Sequence, residues 1–299
     1  MLVRRVGFLL TMVVALGGGT AVALPRPMSA DEARFAGFLA DLPARATPGA
    51  RAAAVGEALL GRPYVANPLM GAVGAGRAEP LTARLDGFDC VTLVETCLAV
   101  ARAQERARTW QAFTEELERL RYRDGQRAGY TSRLHYFSDW LRDNDRRATV
   151  RNLTADLGGV RDTRPLTFMT RHRSAYPALA DEAVFTGLRL AEAAASRQPR
   201  HVIPKAHIPA VLPLLQPGDV LAFATDIEGL DVAHVGLAHR TPEGAVHVLH
   251  APAPGQPVQI SRAPLVTYTA RHARHVGLMV GRLLPVKVSL PAAGIFGQG

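Results

Sequence analysis

The residues with chemistry to offer in this 299-residue chain are a cysteine, Cys90, and two histidines of its C-terminal part, His234 and His250. Together they could perform acyl transfer: a thiol attacks, an imidazole moves the proton, and a second polar side chain orients that imidazole. A thiol reacts as thiolate, an anion favoured by the free N–H groups and positive dipole end of a helix N-terminus. Asp89 is a good N-cap, and Val91, Leu93, Val94, Cys97, Leu98 and Val100 recur at helical spacing, which predicts a buried helix over 89–104 with Cys90 in its first turn. The bland alternative is a small buried hydrophobe, the usual state of a free cysteine. Cys97 falls in that class. It stands roughly two turns, ~10 Å, along the same helix, beyond the Cα separation of about 4.4 to 6.8 Å that a disulfide spans, so the two thiols should not pair.

Strands are predicted over 220–224, 231–238 and 245–251, joined by short connectors containing Glu228-Gly229 and Glu243-Gly244, with further candidates at 258–260 and 276–280. In the third strand, alternation puts His247 with Leu249 on one face and Val248 with His250 on the other. His234 would take the Cys90 proton, giving a thiolate–imidazolium pair, and later protonate a leaving amine. His250 would hold the other ring nitrogen of His234. The Cys90 N–H and a second donor would meet the oxyanion, a contribution of ~3 kcal/mol in comparable sites. His234, His239, His247, His250 and Asp231 include enough ligand types for zinc, yet neither H-E-x-x-H nor paired C-x-x-C spacing occurs, so no metal or cofactor is expected.

Helices should position the thiol. Ser29 with Phe35, Phe38 and Leu39 predicts a capped helix over 29–42, an alanine-rich helix follows over 52–60, and others are expected over 108–122 and 180–195. The stretch 130–140 is dense in aromatic and polar side chains that suit either a pocket or an amphipathic helix, and 161–180 reads as loops. Helices first and a sheet second is an α+β order.

Hydrophobic residues make up 48% and charged residues 20%, enough for a sizeable core. The net charge of +9 comes from dispersed arginines with no basic, aromatic-interleaved stripe, which speaks against nucleic acid. Arg4 and Arg5, an apolar run over 6–16, three glycines and Ala21-Val22-Ala23 read as a secretory signal peptide cleaved after Ala23. That run is too short to span a bilayer, and no later segment approaches the ~18 apolar residues required, so no lasting membrane anchor is expected and the mature chain should be exported, to the periplasm.

Asp89-Cys90, His234-Val235-Gly236, Leu60-Gly61-Arg62-Pro63-Tyr64, Pro217-Gly218-Asp219-Val220 and His250-Ala251 stand in the order of the NlpC-type, papain-like cell-wall cysteine peptidases, which this chain resembles. It is still more similar to one branch of that clan, N-acetylmuramoyl-L-alanine amidases, through Phe88-Asp89-Cys90-Val91-Thr92 with Glu95, Arg133-Leu134-His135-Tyr136 with Asp139-Trp140, Tyr176-Pro177-Ala178-Leu179, Ile203-Pro204-Lys205 and Gly229-Leu230-Asp231-Val232-Ala233-His234. Pro252 departs from it, since serine commonly follows that alanine. The resemblance implies a nucleophile helix packed on a C-terminal antiparallel sheet (about 215–284), with a pocket-forming insertion over about 106–200, in one catalytic domain spanning 24–299. It implies hydrolysis of the amide between N-acetylmuramic acid and L-alanine in muropeptides. Cys90, His234 and His250 would be catalytic, and Asp89, Tyr64, Arg133, Tyr136, Asp139, Trp140 and Asp231 would bind substrate. Cleavage at γ-D-glutamyl-diaminopimelate is the alternative; a non-catalytic wall-binding module and a zinc amidase are the remaining ones.

Overall fold

A computed structural model describes residues 28–70 and 79–286; the expected signal peptide (1–23) and most of the glycine-containing loop over 68–77 lie outside the described residues. The helices are α1 (Ala30–Ala40), α2 (Pro48–Ala58), α3 (Cys90–Gln104), α4 (Trp110–Arg121), α5 (Phe137–Arg146), α6 (Phe168–Arg171), α7 (Glu182–Ser196), α8 (Ile208–Val211) and α9 (Leu265–Arg271). The strands are β1 (Val150–Asn152), β2 (Val160–Asp162), β3 (Arg200–Pro204), β4 (Val220–Thr225), β5 (Val232–Arg240), β6 (Val246–His250), β7 (Gln259–Ile260) and β8 (His275–Leu283). Side-chain caps start the longer helices: Ser29 forms a capping box with Glu32, Thr47 and Thr109 cap α2 and α4, and Asp181 caps α7.

The sheet is antiparallel throughout, in the order β2-β3-β8-β4-β5-β6-β7, with β1 also on β8. The expected meander β4-β5-β6-β7 is present, and β8 returns to the free side of β4. Strand alternation gives two apolar faces. Ala222, Val235, Leu237 and Leu249 pack with Leu93, Val94, Cys97 and Leu98 of α3, while Leu221, Phe223, Val248 and Leu278 pack with Ile208, Val211 and Leu265 on the other side. Leu93, Val94 and Leu98 are fully buried, each worth about 1.5–3 kcal/mol. Leu98→Ala would cost about 2–5 kcal/mol and loosen the platform under Cys90.

The insertion differs from expectation. It supplies β1 and β2 to the sheet and β3 follows at its end, so the sheet begins well before 215. Those strands escape a sequence reading because β1 and β2 have three residues each and β3 ends at Pro204, so none shows a sustained period of two. The stretch over 161–180 likewise holds the end of β2 and α6 amid loops. Two buried ion pairs and a hydrogen bond tie the insertion to α3: Arg121 Nε donates to Glu95 Oε2 at 2.7 Å, Arg102 Nε donates to Glu116 at 2.6 Å, and the neutral Trp140 Nε1 donates to Glu95 Oε1 at 3.2 Å. Among the described residues no helix is long and apolar enough to cross a membrane.

Candidate active site

Asp89 begins α3 from an extended backbone (φ −91°), and its carboxylate accepts the Thr92 N–H at 2.8 Å while the Thr92 hydroxyl accepts the Asp89 N–H at 3.0 Å. Cys90 is consequently the first helical residue. The preceding segment is clamped: Phe88 N–H donates to Pro63 O at 3.1 Å, and Val65 N–H donates to Phe88 O at 2.9 Å. Gly87 permits this approach, since a Cβ there would stand 2.6 Å from Val65 Cγ2. The clamp sets Tyr64, half-buried, near Asp89 and Cys90; burial first and then those two neighbours raise its phenol.

His234 and His250 meet across β5 and β6. His234 Nε2 lies 2.8 Å from His250 Nδ1, with ring planes at 76°. Gly236 makes room, because a Cβ there would fall 2.8 Å from Leu249 O and 3.2 Å from His250 Cβ. Phe223, in register with His234, stacks on its ring at 5.9 Å. The β5–β6 ladder stops at Leu237↔Leu249, so Val235 lies past its end, and the N–H groups of Val235, Val91 and Cys90 address the Cys90 thiol.

Burial and the Asp89 carboxylate push the Cys90 thiol up to about 12, and the three N–H groups offset only part of that. The side chain keeps partial solvent exposure, which tempers the size of the rise but not its direction. Burial, then the neighbouring His250, His275 and His272, hold His234 well below 6.5. Both shifts favour a neutral thiol and a neutral imidazole at rest over the thiolate–imidazolium pair expected from the sequence. For His234 Nδ1 to accept the thiol proton, Nε2 must carry the ring hydrogen and donate it to His250 Nδ1. The Tyr268 hydroxyl lies 3.4 Å from that same nitrogen.

A cleft of about 590 Å³ opens beside the histidines, with His234, His250, Tyr268, His272 and His275 in its wall. Tyr268, His272 and His275 are absent from the sequence reading, as is α9, whose seven residues carry Tyr268. The other expected binding residues are occupied within the fold. Arg133 is buried over the Tyr130 ring and donates to Leu69 O at 3.2 Å. Tyr136 donates to Glu192 at 2.7 Å, and Asp139 accepts from Arg123 and Arg142 at 2.6 and 2.5 Å. Trp140 stacks on Phe137, and Asp231 accepts the Ser138 N–H at 2.7 Å, tying the chain before β5 to the first turn of α5. None of these five lines the cleft. Among the described residues no three His, Cys, Asp or Glu side chains converge as metal ligands, and both cysteines are free.

Fold and site together define an α+β protein with a helix-borne thiol met by the Val235 N–H of β5, and a histidine pair on β5 and β6 of the same antiparallel sheet. Residues 54–277 match the family profile described as AmiA-like, N-acetylmuramoyl-L-alanine amidase-like, and the chain belongs to that family. It is similar to a crystal structure of an N-acetylmuramoyl-L-alanine amidase from Bacteroides uniformis: TM-score 0.73, 32% identity, covering 79% of this chain and 98% of that one. A candidate xylanase from Bacteroides fragilis is also 32% identical, with TM-score 0.70 over 76% of this chain and 98% of its own. A Legionella pneumophila protein shares the fold at 20% identity and TM-score 0.61, over 84% and 93%. No curated protein matches the chain.

Proposed function

We propose that this protein is a cysteine amidase on the NlpC-type, papain-like plan, hydrolysing the amide between N-acetylmuramic acid and L-alanine in peptidoglycan fragments. The observation that carries the reading is the His234–His250 contact of 2.8 Å on the strands that face the N-terminus of α3, where Cys90 stands. His234 Nδ1 removes the thiol proton as sulfur attacks the lactyl carbonyl, and the Cys90 N–H stabilises the oxyanion. Collapse of the tetrahedral intermediate breaks the C–N bond, and His234 returns the proton to the leaving L-alanine nitrogen. Water, deprotonated by His234, then cleaves the thioester. Cleavage of the signal peptide after Ala23 would deliver the enzyme to the periplasm, where such fragments arise.

The xylanase label of one similar structure points to different chemistry, because glycoside hydrolysis generally uses two carboxylates about 5–9.5 Å apart. The cleft beside His234 is lined by no aspartate or glutamate. Mass analysis of products from N-acetylmuramoyl-L-alanyl-γ-D-glutamyl-diaminopimelate tests the reading. Free N-acetylmuramic acid and an intact tripeptide are expected; a muramoyl dipeptide with released diaminopimelate would move the scissile bond and overturn it.

A further inference from the structure

The cleft beside the histidine pair has a charge character of its own. Its wall includes Arg262, Arg271 and neutral polar side chains, but no carboxylate. Both guanidiniums are exposed, and neither makes a hydrogen bond or ion pair with another described residue. Among the described residues Arg161, Arg189 and Arg197 are also exposed and unpaired, but of the unpaired guanidiniums only those of Arg262 and Arg271 stand in the wall of this cleft. A planar guanidinium left open on a concave wall is a receptor for a carboxylate, which it can bind through two parallel hydrogen bonds.

The chemistry of the site says which part of a substrate comes here. An imidazole that protonates a leaving amine must face it, whereas the acyl part stays with the sulfur. His234 and His250 belong to the wall of this cleft and Cys90 does not, so the cleft extends from the leaving-group side of the bond. The leaving part of the proposed substrate is a peptide whose second residue, D-glutamate, is linked through its γ-carboxyl and keeps a free α-carboxylate. Resting on the proposed function, we infer that this cleft binds the acidic leaving peptide and that Arg262 and Arg271 recognise its free carboxylates, making them specificity-determining residues.

Calorimetric titration of the full chain with L-alanyl-γ-D-glutamyl-diaminopimelate, and with the same peptide amidated at the glutamate α-carboxyl, tests this without requiring turnover. The amidated peptide should bind about tenfold more weakly, as expected for loss of one charge-assisted contact. The double variant Arg262→Gln, Arg271→Gln should bind both forms alike and weakly, with an unchanged melting temperature because both side chains are exposed. Equal affinity of the wild type for the two peptides, no binding of either, or a double variant that keeps the preference would overturn the inference. Hydrolysis of the parent muropeptide is scored separately: discrimination in binding without hydrolysis supports this cleft assignment and counts against the amidase reading, and hydrolysis without discrimination does the reverse.

Discussion

His234 Nε2 and His250 Nδ1 stand 2.8 Å apart, close enough that a single hydrogen lies between them. One nitrogen must donate and the other accept, and a base at His234 Nδ1 requires that His250 be the acceptor. His250 is buried, so its ring cannot turn to solvent as an alternative.

The acceptor at position 250 is therefore what matters. His250→Ala should lower kcat on the order of 100-fold with KM little changed, and His250→Asn, which keeps an acceptor, should recover part of that loss. Steady-state kinetics on a soluble muropeptide provide the comparison. Equal rates for the two variants would contradict an orienting role.

Burial sets the pH response. His250 and His275 are held down to about 4, against 6.5 in an unfolded chain. Below pH 6.5 the unfolded state binds more protons than the folded one, so stability falls as pH drops and levels off near pH 4, by up to ~1.4 kcal/mol per pH unit for each ring. Urea melts at pH 7.5, 6 and 5 should show that decline. His234 is depressed too, so the acid limb of kcat/KM should lie below pH 6.5. A midpoint above 6.5 would contradict the neutral resting pair.

Gly236 should tolerate no side chain. A methyl group there would meet Val248 Cγ1 at 2.6 Å and Leu249 O at 2.8 Å, forcing β6 and His250 away from His234. Gly236→Ala should cost about 1–3 kcal/mol and reduce activity at least tenfold, read from thermal melts and initial rates.

The two thiols should behave differently. Cys97 is fully buried, and its sulfur would lie 3.4 Å from a Cβ placed on Gly56 of α2, whereas Cys90 is partly exposed. Iodoacetamide should modify Cys90 alone, slowly at neutral pH because the thiol holds its proton, and inactivate the enzyme. Cys97→Ser, which buries a hydroxyl among apolar groups, should lose about 1–3 kcal/mol of stability and leave kcat unchanged. Peptide mapping of the alkylated protein reads the first outcome and melts read the second.

How much of this is legible in the sequence depends on how local each cause is. Helix α3 is legible because its cap and apolar spacing lie within one segment, and the expected 89–104 compares with Cys90–Gln104. The β4–β7 meander is legible through alternation and glycine turns. Strands β1 to β3 are not, since partners distant in sequence define them; β1 pairs with β8 across Val150↔Leu283. Tyr268 reaches His250 only through tertiary packing of the short helix α9. Arg133, Tyr136, Asp139 and Trp140 look the same in sequence whether their polar atoms meet a ligand or the protein. In the structure Glu95 and Glu192 receive Trp140 and Tyr136.

The most direct test of the account is hydrolysis of a defined muropeptide by Cys90→Ala beside the wild type, with products identified by mass. Because Cys90 is only partly buried, the variant should stay folded and release no N-acetylmuramic acid above background, whereas the wild type should release it. A folded Cys90→Ala protein that still releases the sugar at the wild-type rate would contradict the thiol mechanism.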